Sequence, residues 1–170
     1  MPPFNNIEDL QRLDFQLLQN GTMTLYWKNS VLQKDMKWLK ERSYLIYEFD
    51  CSKWKRVSLL HADFYMKLSF PEYYGNNLNA LNDCLSDIEI PEEGGIVFVF
   101  YQFDQFNKFD ERLAWHVLEI IENNARRFLL FGRRLIALIQ SDDPKISIKP
   151  VGANGIGWNG AEWLNKNREL

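Results

Sequence analysis

The sequence predicts an α/β fold, a three-stranded parallel sheet with helices packed on it, and three observations carry that expectation. Three apolar runs, Tyr44 to Phe49, Ile96 to Tyr101 and Leu135 to Ile139, are continuous rather than alternating, as strands are when both faces of their sheet are covered. Between them lie segments of helical spacing, 57–70 and 78–88 in the first gap and 110–131 in the second. Strands separated by helices imply parallel pairing through right-handed crossovers.

Taken in order, the chain begins with a segment that reads as a β-hairpin. Phe15 to Gln19 and Thr22 to Trp27 flank Asn20-Gly21, a pair that readily supplies the two positive φ values of a type I′ turn. A helix from Val31 to Glu41 follows, with Val31, Leu32, Met36 and Leu39 available for packing. The long helix from Asp110 to Phe131 carries its apolar stripe on Leu113, Val117, Ile121, Ala125 and Phe128. After Pro144 a strand is expected at Ile146 to Val151, then a glycine and asparagine stretch, then helix or coil from Ala161. Hairpin and tail strand together are expected to make a small accessory sheet. The implied organisation is an N-terminal extension over 1–42, a central domain over 43–142 and a C-terminal extension over 143–170.

Composition narrows the function classes. A chain of 170 residues, 46% hydrophobic, buries one core with decorations and is short for two full domains. The net charge of -3 announces no nucleic-acid surface, although a local acidic patch can still steer a basic protein. Cys51 and Cys84 stand 33 apart, with no CxxC and no histidine set nearby, so they read as reduced thiols rather than a zinc site or a disulfide scaffold. The N-terminus lacks a basic region followed by an apolar run, and no stretch approaches the length of a membrane span. A cytoplasmic location is the expectation.

Candidate chemistries are thin. Gly155-Ile156-Gly157-Trp158-Asn159-Gly160 satisfies GxGxxG, but only ten residues remain after it, too few for the second strand and the ribose-binding acid of a dinucleotide fold. It reads as a turn. His61 and His116 have no nucleophile or paired carboxylate at helical spacing, and read as packed or surface imidazoles. Glu92-Glu93 and Ser141-Asp142-Asp143 lack calcium-loop spacing, and Arg126-Arg127 with Arg133-Arg134 form only a modest basic patch. No catalytic set, metal site or cofactor site emerges.

The most informative stretch is 71–86, Pro71-Glu72-Tyr73-Tyr74-Gly75-Asn76-Asn77-Leu78-Asn79-Ala80-Leu81-Asn82-Asp83-Cys84-Leu85-Ser86. Pro71 and Gly75 punctuate a loop, and Asn77 is placed to cap a helix that begins at Leu78. At about 100° per residue, Leu78, Leu81, Cys84, Leu85 and Ile88 gather on one side and Asn79, Asn82, Asp83 and Ser86 on the other. A polar outer face is what any solvated helix shows, so periodicity alone assigns it no role. The string as a whole does more, because it closely resembles the signature of the barstar family, intracellular inhibitors of secreted microbial ribonucleases. The run of about thirteen matching positions is far more specific than a lone glycine motif. The resemblance extends more weakly from Arg42 to Asp142 and covers neither end.

The resemblance implies a three-stranded parallel sheet, with Phe103 to Phe109 corresponding to an extra helix before the long one. It also implies an inhibitor, not an enzyme, whose partner is a ribonuclease or toxin nuclease and which binds no nucleic acid or membrane itself. Asp83 matches the family's critical helix aspartate, which takes the place of an RNA phosphate among the enzyme's arginines. Tyr73 matches the loop tyrosine that packs on the enzyme, with Tyr74 as its support, and Asn77, Asn79, Asn82 and Ser86 fall at further contact positions. Asn77 reads as a helix cap before it reads as a contact. The departures are Asn79 in place of an aspartate, Asn82 in place of a tryptophan, and Asn123 and Arg127 near the places of two acids on the long helix. Those losses keep a second reading open, a barstar-fold module with an unrelated protein partner.

Overall fold

Each of the three apolar runs forms a strand where expected, and two further strands join from outside. Tyr44 to Phe49, however, lies at the edge of the sheet with Leu45 and Glu48 exposed, rather than covered on both faces. The computed structural model describes Phe4 and residues 6–170. Its strands are β1 (Met23–Tyr26), β2 (Tyr44–Asp50), β3 (Gly95–Tyr101), β4 (Leu135–Gln140) and β5 (Gly157–Trp158). Its α-helices are α1 (Leu13–Leu18), α2 (Asn29–Lys40), α3 (Val57–Lys67), α4 (Leu78–Ser86), α5 (Phe103–Phe109) and α6 (Glu111–Leu130). The strands form one five-stranded sheet in the order β2-β3-β4-β1-β5, every neighbouring pair parallel.

The direction of each crossover decides which face a helix covers. From β2 through β3 to β4 the chain steps one way across the sheet, and α3 to α6 lie on one face. From β1 back to β2 it steps the opposite way, so a crossover of the same hand puts α2 on the other face. Side-chain alternation then splits the core in two. Ile96, Phe98 and Phe100 of β3 face the α3–α6 side with Phe49, Trp54, Phe64, Phe103 and Phe106, while Val97 and Val99 face Leu32, Met36 and Leu39 of α2. Neighbouring rings of the aromatic cluster pack mostly edge to face, at centroid separations such as 5.0 Å for Trp54 and Phe106, and each buried ring contributes about 2 kcal/mol or more.

Two expectations at the ends are corrected. Phe15 to Gln19 is no strand: Leu13 to Leu18 is helical, because Leu13 and Leu17 lie four apart on the second core and Asp14 is drawn into a buried cluster with Arg12, Tyr44 and Arg134. The Asn20-Gly21 pair is not a type I′ turn, since only Gly21 has a positive φ, at 136°. Ile146 to Val151 is no strand either. Val151 and Asn154 close a tight turn around Gly152, at φ 58°, while Ile146 and Ile148 pack as coil against the first core.

Among the described residues there is accordingly no separate accessory sheet. β1 pairs with β4, and two residues of the GxGxxG stretch, Gly157 and Trp158, pair with β1 as the edge strand. What pins this edge is side-chain chemistry. Asn159 donates to the Leu25 carbonyl at 3.0 Å, and the buried Glu162 carboxylate accepts from the Trp27 and Lys28 amides at 3.0 and 2.9 Å. Arg168 closes the tail over them, its guanidinium 4.3 Å from the Trp158 ring. Beyond Ala161 the chain makes only a short 3-10 turn, Asn165–Arg168. Cys51 and Cys84 are free and buried, and among the described residues no helix is long and apolar enough to cross a membrane.

Candidate functional site

The α3–α4 loop is held from beneath by Tyr74. Its ring lies 5.0 Å from Phe70 and stacks on Tyr65, and its hydroxyl shares a hydrogen bond with Nδ1 of the buried His61. Burial pushes the Tyr74 phenol up and holds the His61 imidazole below its usual range, so the pair is neutral near pH 7. The Tyr74 amide donates to the Pro71 carbonyl at 2.9 Å, which closes the turn. With Tyr74 fixed inward, its neighbour Tyr73 is forced outward and is 81% exposed.

The helix that follows is capped at both ends. Oδ1 of Asn77 accepts from the Ala80 amide at 2.8 Å and its Nδ2 donates to the Gly75 carbonyl at 3.1 Å. At the other end the Arg127 guanidinium donates to the Ser86 carbonyl at 2.9 Å, a cation placed where the helix dipole favours one. Ser86 Oγ donates to the Asp83 carbonyl at 2.6 Å. Leu81 and Leu85 are fully buried, and α4 packs along α6.

The six sequence-derived candidates therefore divide into two sets. Asn77, Asn82 and Ser86 are engaged within the chain, Asn82 through Oδ1 accepting from Asn124 Nδ2 at 2.9 Å. Tyr73, Asn79 and Asp83 face solvent, and the Asp83 carboxylate has no hydrogen bond or ion pair among the described residues. All of them lie on the loop and the outer side of one helix, so the structure brings them onto a continuous face. Of the two long-helix positions, Asn123 is exposed, and Arg127 is turned toward α4 as a cap.

Sequence reasoning missed the charge distribution around this face. From Leu68 to Asn107 the chain carries seven acids and not one lysine or arginine, so the rest of the chain carries four net positive charges. A whole-chain charge hides this, and a count by blocks reveals it. Asp87, at the end of α4, and Glu89 are exposed members of that run that were not singled out. Their field is felt locally: burial first, then the charges of Asp83 and Asp87, push the Cys84 thiol up. Asn124, which holds Asn82 and also donates to Ile120, was missed as well, since nothing in a helix periodicity marks a buried amide as a cross-helix strut. Among the described residues no group of three or more His, Cys, Asp or Glu side chains is placed to hold a metal ion.

Comparison with known proteins bears on the same region. Residues 44–140, from the start of β2 to the end of β4, match the family described as Barstar (barnase inhibitor). The chain is also similar to the Bacillus subtilis (strain 168) protein named "Putative ribonuclease inhibitor YrdF", with 38% identity over 74 residues, 43% of this chain and 77% of that protein. The match covers the sheet core, the loop that turns Tyr73 outward and the helix that carries Asp83, and the chain belongs to the barstar family.

Proposed function

We propose that this chain is a barstar-like inhibitor that binds and occludes the active site of a microbial ribonuclease or toxin nuclease, acting in the cytoplasm of the cell that makes it. The observation that carries the reading is the state of Asp83, an exposed carboxylate without an internal partner among the described residues, on a helix capped at both ends. A nuclease that cleaves RNA holds a phosphate among guanidinium and imidazole groups. A rigidly mounted carboxylate enters such a pocket as a phosphate substitute, and charge-assisted hydrogen bonds make it the energetic centre. Tyr73 supplies flat aromatic area beside it at small entropic cost.

The acidic run from Leu68 to Asn107 supports the same reading, because it gives the face the sign that attracts a basic enzyme. Arg127, which by charge alone opposes such a partner, spends an N–H group on the Ser86 carbonyl. Asn79 lacks the charge of the prototype's aspartate and Asn82 lacks the aromatic area of its tryptophan, which favours an enzyme different from the prototype's target. The same losses keep an unrelated protein partner as the second reading, and the experiment separates the two.

The test is inhibition of a panel of small basic microbial ribonucleases by the purified chain and by Asp83→Ala. For an enzyme that is inhibited, the substitution should weaken binding by about 2–5 kcal/mol, the range for one half of a desolvated charge pair at an interface, this family's founding complex being among the measured cases. Cooperative unfolding should be unchanged. Inhibition that is indifferent to Asp83→Ala removes the phosphate-substitute mechanism, and a panel with no inhibited member transfers support to the unrelated partner.

A further inference from the structure

A groove of about 440 Å³ opens between the α3–α4 loop and the segment that leaves α4. Leu68, Phe70, Tyr73 and Ile88 line it with apolar surface, and the exposed Asp87 and Glu89 line it with carboxylates. Tyr73 therefore has two sides, one toward solvent and one toward this groove. Neither acid is neutralised. The Asp87 carboxylate receives only a long contact from Ser86 Oγ at 3.4 Å, and Glu89 has no ion pair or hydrogen bond among the described residues. Lys67, which precedes Leu68 of the groove lining, is occupied by Asp63 at 2.9 Å and by the Glu48 carbonyl at 2.6 Å, and Arg127 beside the end of α4 donates to the Ser86 carbonyl at 2.9 Å.

An apolar trough with unneutralised carboxylates and a tyrosine ring is complementary to one kind of side chain. The alkyl stem of arginine or lysine covers apolar surface while its charged head meets carboxylates, and a guanidinium also packs on an aromatic ring. We infer that this groove is a second anchor pocket, which takes an arginine or lysine side chain of the protein partner beside the Asp83 contact. The inference rests on reading the α4 face as the inhibitory surface. It gives a reason why the face tolerates Asn79: the second attractive charge has moved from the middle of α4 to Asp87 and Glu89 at its end.

The probe is agmatine, a guanidinium on a four-carbon amine chain, titrated into the ¹⁵N-labelled full chain at millimolar concentration. Amide signals of Leu68 to Tyr73 and Asp87 to Glu89 should shift saturably, and Asp87→Asn with Glu89→Gln should weaken that binding about tenfold. Absence of saturable shifts there, or equal binding by the variant, overturns the pocket. With any ribonuclease that the wild-type chain inhibits, the same double variant should also weaken inhibition about tenfold, and unchanged inhibition overturns the pocket's part in recognition while leaving Asp83 in place. Failure of the inhibitor reading looks different, since inhibition would then be insensitive to Asp83→Ala whatever agmatine does.

Discussion

Two regions of the molecule, the α1–α2 face and the outer side of α4, treat their carboxylates in opposite ways. On the α1–α2 face the chain provides partners for the buried Asp14 and the half-buried Asp35. Asp14, fully buried, accepts from Arg12 at 2.8 Å, Tyr44 at 2.7 Å and Arg134 at 2.9 Å, and Asp35 accepts from Tyr26 at 2.6 Å. At the end of β1, Glu162 takes two backbone amides and Asn159. On the other face Glu122 and Asp104 are likewise buried with internal partners, Arg126 and the Asp142 amide. On the outer side of α4 and just beyond it, by contrast, Asp83, Asp87 and Glu89 stand exposed with no ion pair among the described residues. An acid with internal donors holds the fold together. An acid without them is available to another molecule, so the same residue type is architecture in one region and, on the proposed reading, recognition in the other.

The largest expected effect breaks the first half of that contrast. Asp14→Ala leaves Arg134 buried with its main counter-charge gone, and its Nε already lacks a partner, so stability should fall by about 3–5 kcal/mol. Asp83→Ala should leave the denaturation midpoint within about 0.5 kcal/mol of wild type while it weakens inhibition. Chemical denaturation of both variants checks the pair, and equal stability losses would dissolve the distinction. Burial alone pushes the Asp14 carboxyl up, but hydrogen bonds from Arg12 and Tyr44 and the charges of Arg12 and Arg134 together bring it below its ordinary 3.8. A carboxyl depressed on folding contributes stability at pH above that value and loses it as pH falls through the folded one. The Asp14 contribution should therefore vanish only in strong acid.

A smaller effect sharpens the second half. Asn77→Ala removes the Ala80 cap and should cost about 1 kcal/mol of stability, with a similar indirect loss of inhibition because the α4 face is less rigidly mounted. Asn77→Ser should restore both, since a hydroxyl can cap as well. If serine restores stability and not inhibition, Asn77 touches the partner directly.

How much of this was legible in the sequence follows from the range of the interactions involved. The strands β2, β3 and β4 and the helices α2, α3, α4 and α6 lie within three residues of where hydrophobic spacing put them, because burial on one face or both writes itself into local periodicity. Helix α5 lies where the family resemblance put it. The Asn77 cap was legible for the same reason, being a contact three residues long. The N-terminal hairpin was misread because Asn20-Gly21 outweighed the Leu13 and Leu17 spacing, and because the partners of Asp14, at Tyr44 and Arg134, lie 30 and 120 residues away. The tail was misread likewise, since Glu162 finds its amides at Trp27 and Lys28. The role of Arg127 shows the limit most clearly. Sequence gave it a charge, and only the packing of α6 on α4 turned that charge into a cap.

The smallest expected effect separates the two regions by pH. His61 lies beneath the recognition loop, and burial lowers its folded value below the ordinary 6.5. An imidazole depressed on folding is protonated more readily in the unfolded chain, so stability rises with pH in this window. The contribution is intact above about 6.5 and is lost progressively as pH falls through the folded value, by no more than about 1.4 kcal/mol per pH unit. The denaturation midpoint should thus decline from about pH 7 to about pH 5.5, where carboxylates such as Asp14 have not begun to titrate. His61→Gln can still bond the Tyr74 hydroxyl but cannot gain a proton, and its midpoint should be flat over that interval. A slope that survives the substitution would move the titration elsewhere. A slope that disappears, together with broadening of the Tyr73 and Tyr74 ring resonances in wild type alone, would locate the neutral-pH sensitivity under the loop and leave Asp14 to respond only to strong acid.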